Sequence, residues 1–206
     1  CKERRVDFGL SEEQTALRDT ARAFAKKELA PLAAGIEASN EPVSHEVIKK
    51  MADMGFLGIN IPQKLGGLGL SNLDALIVLE ELAKVSSAVA FPVFEANVGP
   101  VHAVRHFAPD ALKQRVVPAV CRGEMIVAVS MSEPGAGTAL TDLTTRGVID
   151  GDTVTVNGSK RWCSGSGHSD AYLVYTRLSD APGAKGIGAV LVEKGMPGLT
   201  FGEPEL

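Results

Sequence analysis

The first residues whose types and spacing could do chemistry lie at 127–142, VAVSMSEPGAGTALTD. An apolar run ends there in a Glu-Pro turn, and Gly135 and Gly137 then flank one alanine. Phosphate-binding loops carry GxxxxGK[ST] or GxGxxG in front of a helix, and neither pattern is present here. The residues that follow are β-like, so no helix N-terminus would face a phosphate. We therefore predict that this loop is not a phosphate site.

The same loop is suited to a flat polar heterocycle. Its small residues leave the backbone N–H and C=O groups accessible, and glycines allow a ligand to approach closely. The hydroxyls of Ser130, Ser132 and Thr138 flank these groups. On the loop alone, a structural β-turn is the favoured alternative.

A second group of residues strengthens the prediction of a ring-binding site. Trp162, the only tryptophan, follows the Asn157-Gly158 turn, and Ser164 comes two residues later. On a strand these two side chains would share a face, so an indole could pack on a ring while a hydroxyl bonds a ring nitrogen. The alternative is a tryptophan that fills the core, with Ser164 as an ordinary turn residue.

Composition limits the classes of function. The chain has 206 residues, 45% of them hydrophobic, with 25 acidic and 21 basic side chains. The composition is typical of a soluble globular protein, and without a basic excess a nucleic-acid partner is not expected. No apolar run is long enough for a membrane span, and the N-terminal residues lack the apolar core of a secretory signal. We expect a location in the cytosol or in an organelle matrix.

Cysteine and histidine spacing argues against a metal site or a disulfide framework. Cys1, Cys121 and Cys163 are odd in number, far apart and outside any CxxC or Cys/His spacing, so we expect free thiols. His102 and His106 could share a helix face, but no carboxylate or cysteine partner is near them in the sequence. We interpret this pair as a partly solvated helix surface.

Helical patterns dominate before residue 123. The capping box at 11–14 predicts the start of a first helix, which Pro31 would end. Ser44 predicts the cap of a second helix, and Gly55 predicts its end. Further helices are predicted at about 72–84, 88–107 and 109–117. In the helix at 88–107, Pro92 is acceptable only in the first turn. The apolar faces expected for the first three helices are Leu17, Ala21, Phe24 and Ala25; Val47, Ile48, Met51 and Met54; and Leu76, Leu79, Leu82 and Ala83.

After residue 123 the apolar period changes toward two. Strands are predicted in MIVAVSM, in TTRGVID and DTVTVNG around an Asp150-Gly151 turn, in SKRWCS, in DAYLVYTR and in GIGAVLVEKG. The fold class is therefore α+β, with an all-α domain at residues 1–122 followed by an antiparallel, barrel-like β-domain at residues 123–206. About five strands leave apolar faces uncovered, so we expect this β-domain to be incomplete.

These residues together resemble a known family. SMSEPGAGT and VNGSKRWCSGSGHSDAYLVYTR look like the two flavin-contacting segments of the acyl-CoA dehydrogenases. FGLSEEQTALRDTARAFAKKELAPLA, MADMGFLGINIPQKLGGLGLS and LKQRVVPAVCRGE are similar to the family's N-terminal helical domain. KGIGAVLVEKGMPGLTFGEPEL resembles the middle of its β-domain. Together with SGSGHSDAYLVYTR, this last segment most resembles the isobutyryl-CoA and short branched-chain members.

The resemblance implies FAD as cofactor and assigns positions to it. Ser132, with the backbone of the strand before it, would bond the pyrimidine edge of the isoalloxazine, which gains negative charge on reduction. Trp162 would lie beside the ring, and Ser164 replaces the usual threonine that bonds the hydride acceptor N5. Thr138 matches a serine that contacts acyl-CoA. Lys185 is a candidate for the CoA phosphates, with a solvated loop lysine as the alternative. The implied cofactor-binding set is Val129, Met131, Ser132, Gly137, Thr138, Trp162, Cys163 and Ser164.

Two departures from the family pattern matter. The family commonly reads Gly-Ser-Asp where this chain has Gly137-Thr138-Ala139, so a carboxylate is missing, and Asp142 is the nearest candidate to replace it. The family's chains also continue past the position of Leu206 into a helical bundle that holds the catalytic glutamate. We therefore name no catalytic residue here, since Glu133 matches a family residue that is not the base. We expect the sequence to be part of a longer polypeptide.

The resemblance implies an enzyme that dehydrogenates a short or branched acyl-CoA. An electron-transfer flavoprotein would accept the electrons, and the assembly would be a homotetramer or a heteromer in the bacterial cytoplasm or the mitochondrial matrix. Two alternatives remain open, namely a flavin-dependent monooxygenase or oxidase of the same fold and a non-catalytic subunit of a heteromeric acyl-CoA dehydrogenase.

Overall fold

The computed structural model describes residues 8–39 and 41–203, and within this range helices precede strands. The helices are α1 (Glu12–Phe24), α2 (Ala30–Ser39), α3 (His45–Asp53), α4 (Asn72–Ala83), α5 (Ser87–Asn97), α6 (Pro100–Phe107) and α7 (Asp110–Cys121). The strands are β1 (Val127–Ser130), β2 (Arg146–Asp150), β3 (Thr153–Asn157), β4 (Ala171–Arg177) and β5 (Ile187–Glu193). This order confirms the predicted succession of a helical and a β part. Cys121 and Cys163 are free thiols, whereas Cys1 lies outside the described residues.

The first helix begins as predicted but does not end at Pro31. Ser11 caps α1, and its hydroxyl accepts the N–H of Gln14 in a capping box. A π-helical segment, Ala25–Leu29, then joins α1 to α2, and the N–H of Ala30 bonds the carbonyl of Ala25. This wider turn changes the hydrogen-bond register just before the proline, which allows the chain to remain helical to Ser39.

The buried faces of α3 and α4 differ from the predicted ones. Met54 follows the end of α3 and is exposed, because the chain turns at Gly55 into left-handed backbone at φ +75. In α4 the residues Leu76 and Ala83 are exposed. The buried face of that helix consists of Ala75, Ile77, Val78, Glu81 and Leu82. The spacing of the leucines alone therefore predicted the wrong buried face. Part of the actual buried face is occupied by Glu81, which is paired with Arg22.

The predicted helix at 88–107 is two helices. α5 ends at Asn97, and α6 begins with Pro100 in its first turn, where the missing N–H costs no hydrogen bond. Pro92 lies in the second turn of α5 rather than in the first. The helix predicted at 109–117 extends to Cys121, and Pro118 lies inside it.

The sheet is mixed, which corrects the predicted antiparallel arrangement. β4 is central, and β5 lies antiparallel along one of its edges from Ala171↔Glu193 to Arg177↔Ile187. β1 lies parallel to β4 along the other edge. β2 continues that edge through the pair Arg146↔Arg177 and forms a hairpin with β3. The β2–β3 hairpin lies between β1 and β4 in the sequence. It forms part of the crossover connection that allows β4 to run parallel to β1.

Helices and sheet share one hydrophobic core. Val127, Ala171 and Leu173 of the sheet belong to the same buried cluster as the inner faces of the helices. Asn97, at the end of α5, fixes the loop that follows α3. Its side chain accepts the N–H of Ile59 at 2.7 Å and donates to the carbonyl of Phe56 at 2.7 Å. α5 therefore lies at a defined position against β1, where the candidate site is found.

Candidate functional site

The free edge of β1 is the centre of the site. The carbonyl of Ile126 accepts N–H groups from Asp170 and Ala171, so this end of the strand bonds toward β4. Backbone groups of successive residues in a strand point to opposite edges. Val129, three residues further on in the same strand, therefore presents its carbonyl to the edge away from β4.

Residues 160–163 run along that free edge. Lys160 Nζ donates to the carbonyl of Met131 at 3.0 Å. The N–H of Arg161 donates to the carbonyl of Ser132 at 2.9 Å, and Cys163 Sγ donates to the carbonyl of Val129 at 3.3 Å. The structure thus brings together the two segments that the sequence singled out separately.

Trp162 is not in a strand, which corrects the prediction for SKRWCS. Its φ is +55, and it is the one non-glycine residue of the described ranges with left-handed backbone. The indole is 64% exposed, so it does not fill the core, and the Arg161 guanidinium lies 5.0 Å from its ring centroid. Backbone strain of this kind persists only where the surroundings impose it, and it is concentrated at functional sites.

Tertiary contacts explain why the chain leaves the β-sheet before Trp162. Gly158 packs so closely on Thr145 that an added Cβ would lie 2.3 Å from the threonine hydroxyl. The following residues are drawn to the loop after β1 by the bond between Arg161 and Ser132. Ser164 then begins a series of turns and is exposed.

Cys163, one of the predicted cofactor-binding residues, turns its side chain inward. Its Sγ lies 2.9 Å from Ser130 Oγ in a hydrogen bond, in addition to its contact with Val129. Burial raises the pKa of this thiol above its ordinary value. Of the hydroxyls predicted to flank the loop, that of Ser130 therefore has an internal partner, whereas Ser132 is half-buried and Thr138 is exposed.

Glu133 holds the loop after β1 in place. One carboxylate oxygen accepts the N–H and the hydroxyl of Thr144 at 2.6 and 2.8 Å, and the other accepts the N–H of Thr145 at 2.9 Å and Lys160 Nζ at 2.8 Å. Although burial alone would raise the pKa of Glu133, these donors hold it well below its ordinary range. Glu133 is therefore a fixed anion, and the sequence reasoning missed Lys160 as its partner.

The glycine loop itself is open. Nothing lies within 4 Å of a Cβ built on Gly135 or Gly137. Ala136 is buried instead, and its N–H and C=O bond the backbone of Glu133. The loop therefore presents a small-residue surface without side-chain obstruction.

The two predicted substrate contacts lie on neighbouring turns. Thr138 precedes the short turn Leu140–Asp142, which packs against the turn Gly183–Gly186 that carries Lys185. Arg177 joins these regions, since its guanidinium donates to the carbonyls of Thr141 and Ala181. Thr138 and Lys185 are both exposed.

Ala139 has no substitute carboxylate in the structure. Asp142 is exposed, and its side chain makes no hydrogen bond or ion pair within residues 8–39 and 41–203. The predicted replacement of the family's aspartate by Asp142 therefore gains no support from the geometry.

Glu95 is a buried acid that the sequence reasoning missed. It lies on α5, is 4% exposed and borders a cavity of about 10 Å³ with otherwise apolar lining. The backbone of Val129 is the one group that lowers its pKa, while Oε1 has no hydrogen-bond partner in the described structure. Burial raises its pKa to about 8. A glutamate inside the apolar run FPVFEANV was the available signal.

The described ranges contain neither a metal-binding cluster nor a membrane-spanning helix. No three His, Cys, Asp or Glu side chains are placed there to share a metal ion. None of the helices in this part of the chain is both long and apolar enough to cross a bilayer.

Two family models match the chain. The N-terminal domain of acyl-CoA dehydrogenase matches residues 11–124. The middle domain of acyl-CoA dehydrogenase matches residues 128–206.

Individual relatives agree with these matches. The mitochondrial isovaleryl-CoA dehydrogenase of Pongo abelii is 36% identical over 93% of this chain and 46% of its own length. The mitochondrial isobutyryl-CoA dehydrogenase of Dictyostelium discoideum is 35% identical over 96% of this chain and 47% of its own length. The chain thus spans about half the length of the curated relatives it matches.

Solved structures show the same architecture. Butyryl-CoA dehydrogenase from Megasphaera elsdenii has a TM-score of 0.87 and 29% identity, with 97% of this chain and 53% of that chain covered. A FAD complex of PigA has a TM-score of 0.88 and 28% identity, with 96% of this chain and 52% of that chain covered.

Proposed function

The chain belongs to the acyl-CoA dehydrogenase family, and from this membership we propose that it contributes FAD and substrate contacts to an enzyme that dehydrogenates an acyl-CoA thioester. The reaction would remove hydrogen from the α and β carbons of a short or branched acyl group. The relatives named for isovaleryl-CoA and isobutyryl-CoA support this substrate class.

One observation carries the proposal. Residues 131–132 and 160–163 are joined by hydrogen bonds along the free edge of β1, and the exposed, strained Trp162 lies at this junction. A flat ring needs an aromatic neighbour and polar groups at its edge, and these segments supply both.

The residues at the junction match the chemistry of an isoalloxazine. Ser132 offers a half-buried hydroxyl to the pyrimidine edge, and Ser164 offers an exposed hydroxyl to N5. Trp162 would lie beside the ring, and the open backbone near Gly137 would allow close approach. Bound FAD would supply the hydride acceptor, and the protein would orient it and stabilise the charge it gains.

Three members of the predicted cofactor-binding set have more restricted roles. The carbonyl of Val129 accepts Cys163 Sγ, and its backbone lowers the pKa of Glu95. The carbonyl of Met131 accepts Lys160. We therefore assign these three residues, Val129, Met131 and Cys163, to the support and the backbone lining of the flavin site.

Thr138 and Lys185 are the proposed contacts of the CoA moiety. They lie on adjacent exposed turns, where a hydroxyl could bond the pantetheine arm and an ammonium group could meet phosphate. The remaining part of the proposed mechanism is a carboxylate base for the α-proton. Glu133 is bound by four donors and Glu95 is buried, so we assign the base to neither of them.

The proposed partners follow from the same membership. An electron-transfer flavoprotein would reoxidise the flavin, and the functional assembly would be a homotetramer or a heteromer. The cytoplasm of a bacterium or the mitochondrial matrix would provide both the thioester and the acceptor.

The test is anaerobic reduction of the full-length, FAD-loaded protein by a panel of acyl-CoA thioesters. We expect short and branched thioesters to bleach the visible absorbance of the flavin, with formation of the corresponding enoyl-CoA. The proposal fails if no thioester bleaches the flavin. Flavin reoxidation by dioxygen with incorporation of oxygen would instead support a monooxygenase, and protein that takes up no FAD would support a non-catalytic subunit.

A further inference from the structure

We propose that Lys160 is a positioning residue that strengthens the binding of reduced flavin through the Met131–Ser132 peptide. This inference rests on the proposed function, because it concerns the same flavin. It assigns a role to a residue whose ammonium group bonds two protein groups.

The geometry of Lys160 is unusual for a lysine. Its side chain is 11% exposed, and Nζ has two partners, the carbonyl of Met131 at 3.0 Å and the Glu133 carboxylate at 2.8 Å. Lysines are almost never buried unless they are paired. The ammonium group therefore lies at a fixed point between the loop after β1 and the segment that carries Trp162.

Glu133 keeps the ammonium group at that point. The carboxylate is 4% exposed and is held by Thr144 and Thr145, so it cannot follow Lys160 into solvent. Because the carboxylate is buried and the lysine side chain is only 11% exposed, solvent screening of their interaction is weak. Lys160 consequently maintains its bond to Met131 instead of sampling the many conformations of a surface lysine.

The bond to Met131 has an electronic consequence. The carbonyl of Met131 and the N–H of Ser132 belong to one conjugated peptide group. A cation that bonds the carbonyl oxygen polarises this group and makes the N–H a stronger donor. Ser132 is the residue proposed to meet the pyrimidine edge, so the polarised peptide would stabilise the negative charge of the reduced flavin.

The inference predicts a selective effect on the reduced state. Removing the charge of Lys160 should weaken the binding of reduced FAD more than that of oxidised FAD and should lower the flavin midpoint potential. Loss of a direct oxyanion donor costs about 10²–10³-fold in rate, so for this indirect effect we expect about a ten-fold change in the ratio of the two affinities.

The experiment compares the full-length wild type with Lys160→Met, Lys160→Arg and the double variant Lys160→Met/Glu133→Gln. Methionine retains the length of the chain without its charge, and arginine restores the cation. The double variant removes the buried carboxylate that Lys160→Met leaves unpaired, so it replaces the single variant if that one does not fold. Lys64→Met, at an exposed position, is the control for loss of one positive charge.

The readouts are the midpoint potential, the affinities for oxidised and reduced FAD, and the visible flavin spectrum. We expect a lower potential in the methionine variants and near wild-type values for Lys160→Arg and Lys64→Met. FAD-loaded methionine variants with the wild-type potential and affinity ratio would overturn the proposed role of Lys160 but would leave the proposed function intact. Wild-type protein that takes up no FAD would overturn the proposed function, and with it this inference.

Discussion

Two buried glutamates near β1 have pKa values that are shifted in opposite directions, because several donors bond the carboxylate of only one of them. Glu133 accepts four hydrogen bonds, including one from a lysine, and its pKa is lowered. Glu95 has an unpartnered oxygen in apolar surroundings, and its pKa is raised to about 8. Burial opposes ionisation in both cases, and only donors to the carboxylate can reverse that effect. Neither acid is therefore suited to act as an exposed general base at neutral pH.

The raised pKa of Glu95 predicts a pH dependence of stability. Between its ordinary pKa of 4.5 and about 8, folded Glu95 holds a proton that the unfolded chain has released. The contribution of this group is therefore fully present below pH 4.5, decreases as the pH rises toward 8 and is lost above it. The effect should approach about 1.4 kcal/mol per pH unit at most.

Glu95→Gln tests this dependence because glutamine is uncharged at every pH. We expect the free energy of unfolding of the wild type, relative to Glu95→Gln, to decrease steadily from pH 5 to pH 8 in urea titrations. The exposed Glu37→Gln is the matched control and should show no comparable decrease. A difference between wild type and Glu95→Gln that stays constant over this range would contradict the prediction.

At the residue level the sequence was informative about side-chain chemistry and less so about local backbone. Ser132, Trp162 and Ser164 were identified from their types and spacing, and the structure brings their segments together. The strand assigned to Trp162 was wrong, since the bond between Arg161 and Ser132 is a tertiary contact that periodicity does not encode. Lys160 and Glu95 were missed for the same reason, because their roles depend on distant partners.

The glycine-rich connection between α3 and α4 is a tight backbone element. The carbonyl of Gly58 accepts the N–H of Leu68, and the carbonyl of Ile61 accepts the N–H of Gly69. Gly67 lies between these bonds, where an added Cβ would lie 2.2 Å from the carbonyl oxygen of Ile61 and 2.5 Å from that of Gly58. Backbone atoms cannot move aside as a flexible side chain could.

Gly67→Ala should therefore destabilise the protein by about 1–3 kcal/mol, the usual cost of overpacking. Gly35→Ala is the control, because nothing lies within 4 Å of a Cβ at this exposed helical position. We expect the control to gain about 0.5–1 kcal/mol from the higher helix propensity of alanine. Urea denaturation midpoints measure both changes. Equal shifts in the two variants would show that Gly67 is not sterically constrained.

Helix starts were predicted better than helix interiors and ends. Ser11 and Ser44 cap α1 and α3 as expected, because a cap is a local interaction of neighbouring residues. The continuation past Pro31 depends on a π-helical turn, which has no simple signature in a window of neighbouring residues. The break after Asn97 does have a local signature, because Gly99 and Pro100 form the N-cap and the first position of α6, and the prediction of a single helix overlooked it.

At the scale of the whole molecule, the helical and β parts are mechanically linked. Strands β1 and β4 contribute to the same hydrophobic cluster as the helices, and Arg115 of α7 forms an ion pair with Glu193 of β5. A displacement of α5 would therefore also displace β1, because the two elements pack against each other. The parallel pairing of β1 and β4 could not be read from the sequence, because alternation identifies strands without giving their partners.

The shared core explains how two sequence segments about thirty residues apart reach one site. β1 is buried between the helices and β4, so its end presents residues 131–132 at a defined position. The segment that follows β3 then brings residues 160–163 to the same region. The proposed flavin site is thus a property of the assembled fold.

The most direct test of this account is a crystal structure of the full-length protein with FAD bound. We predict that the isoalloxazine lies beside Trp162, with Ser164 Oγ within hydrogen-bond distance of N5 and Ser132 at the pyrimidine edge. Lys160 should remain bonded to the carbonyl of Met131. An isoalloxazine bound elsewhere, with Ser132 and Ser164 out of contact with it, would contradict the account.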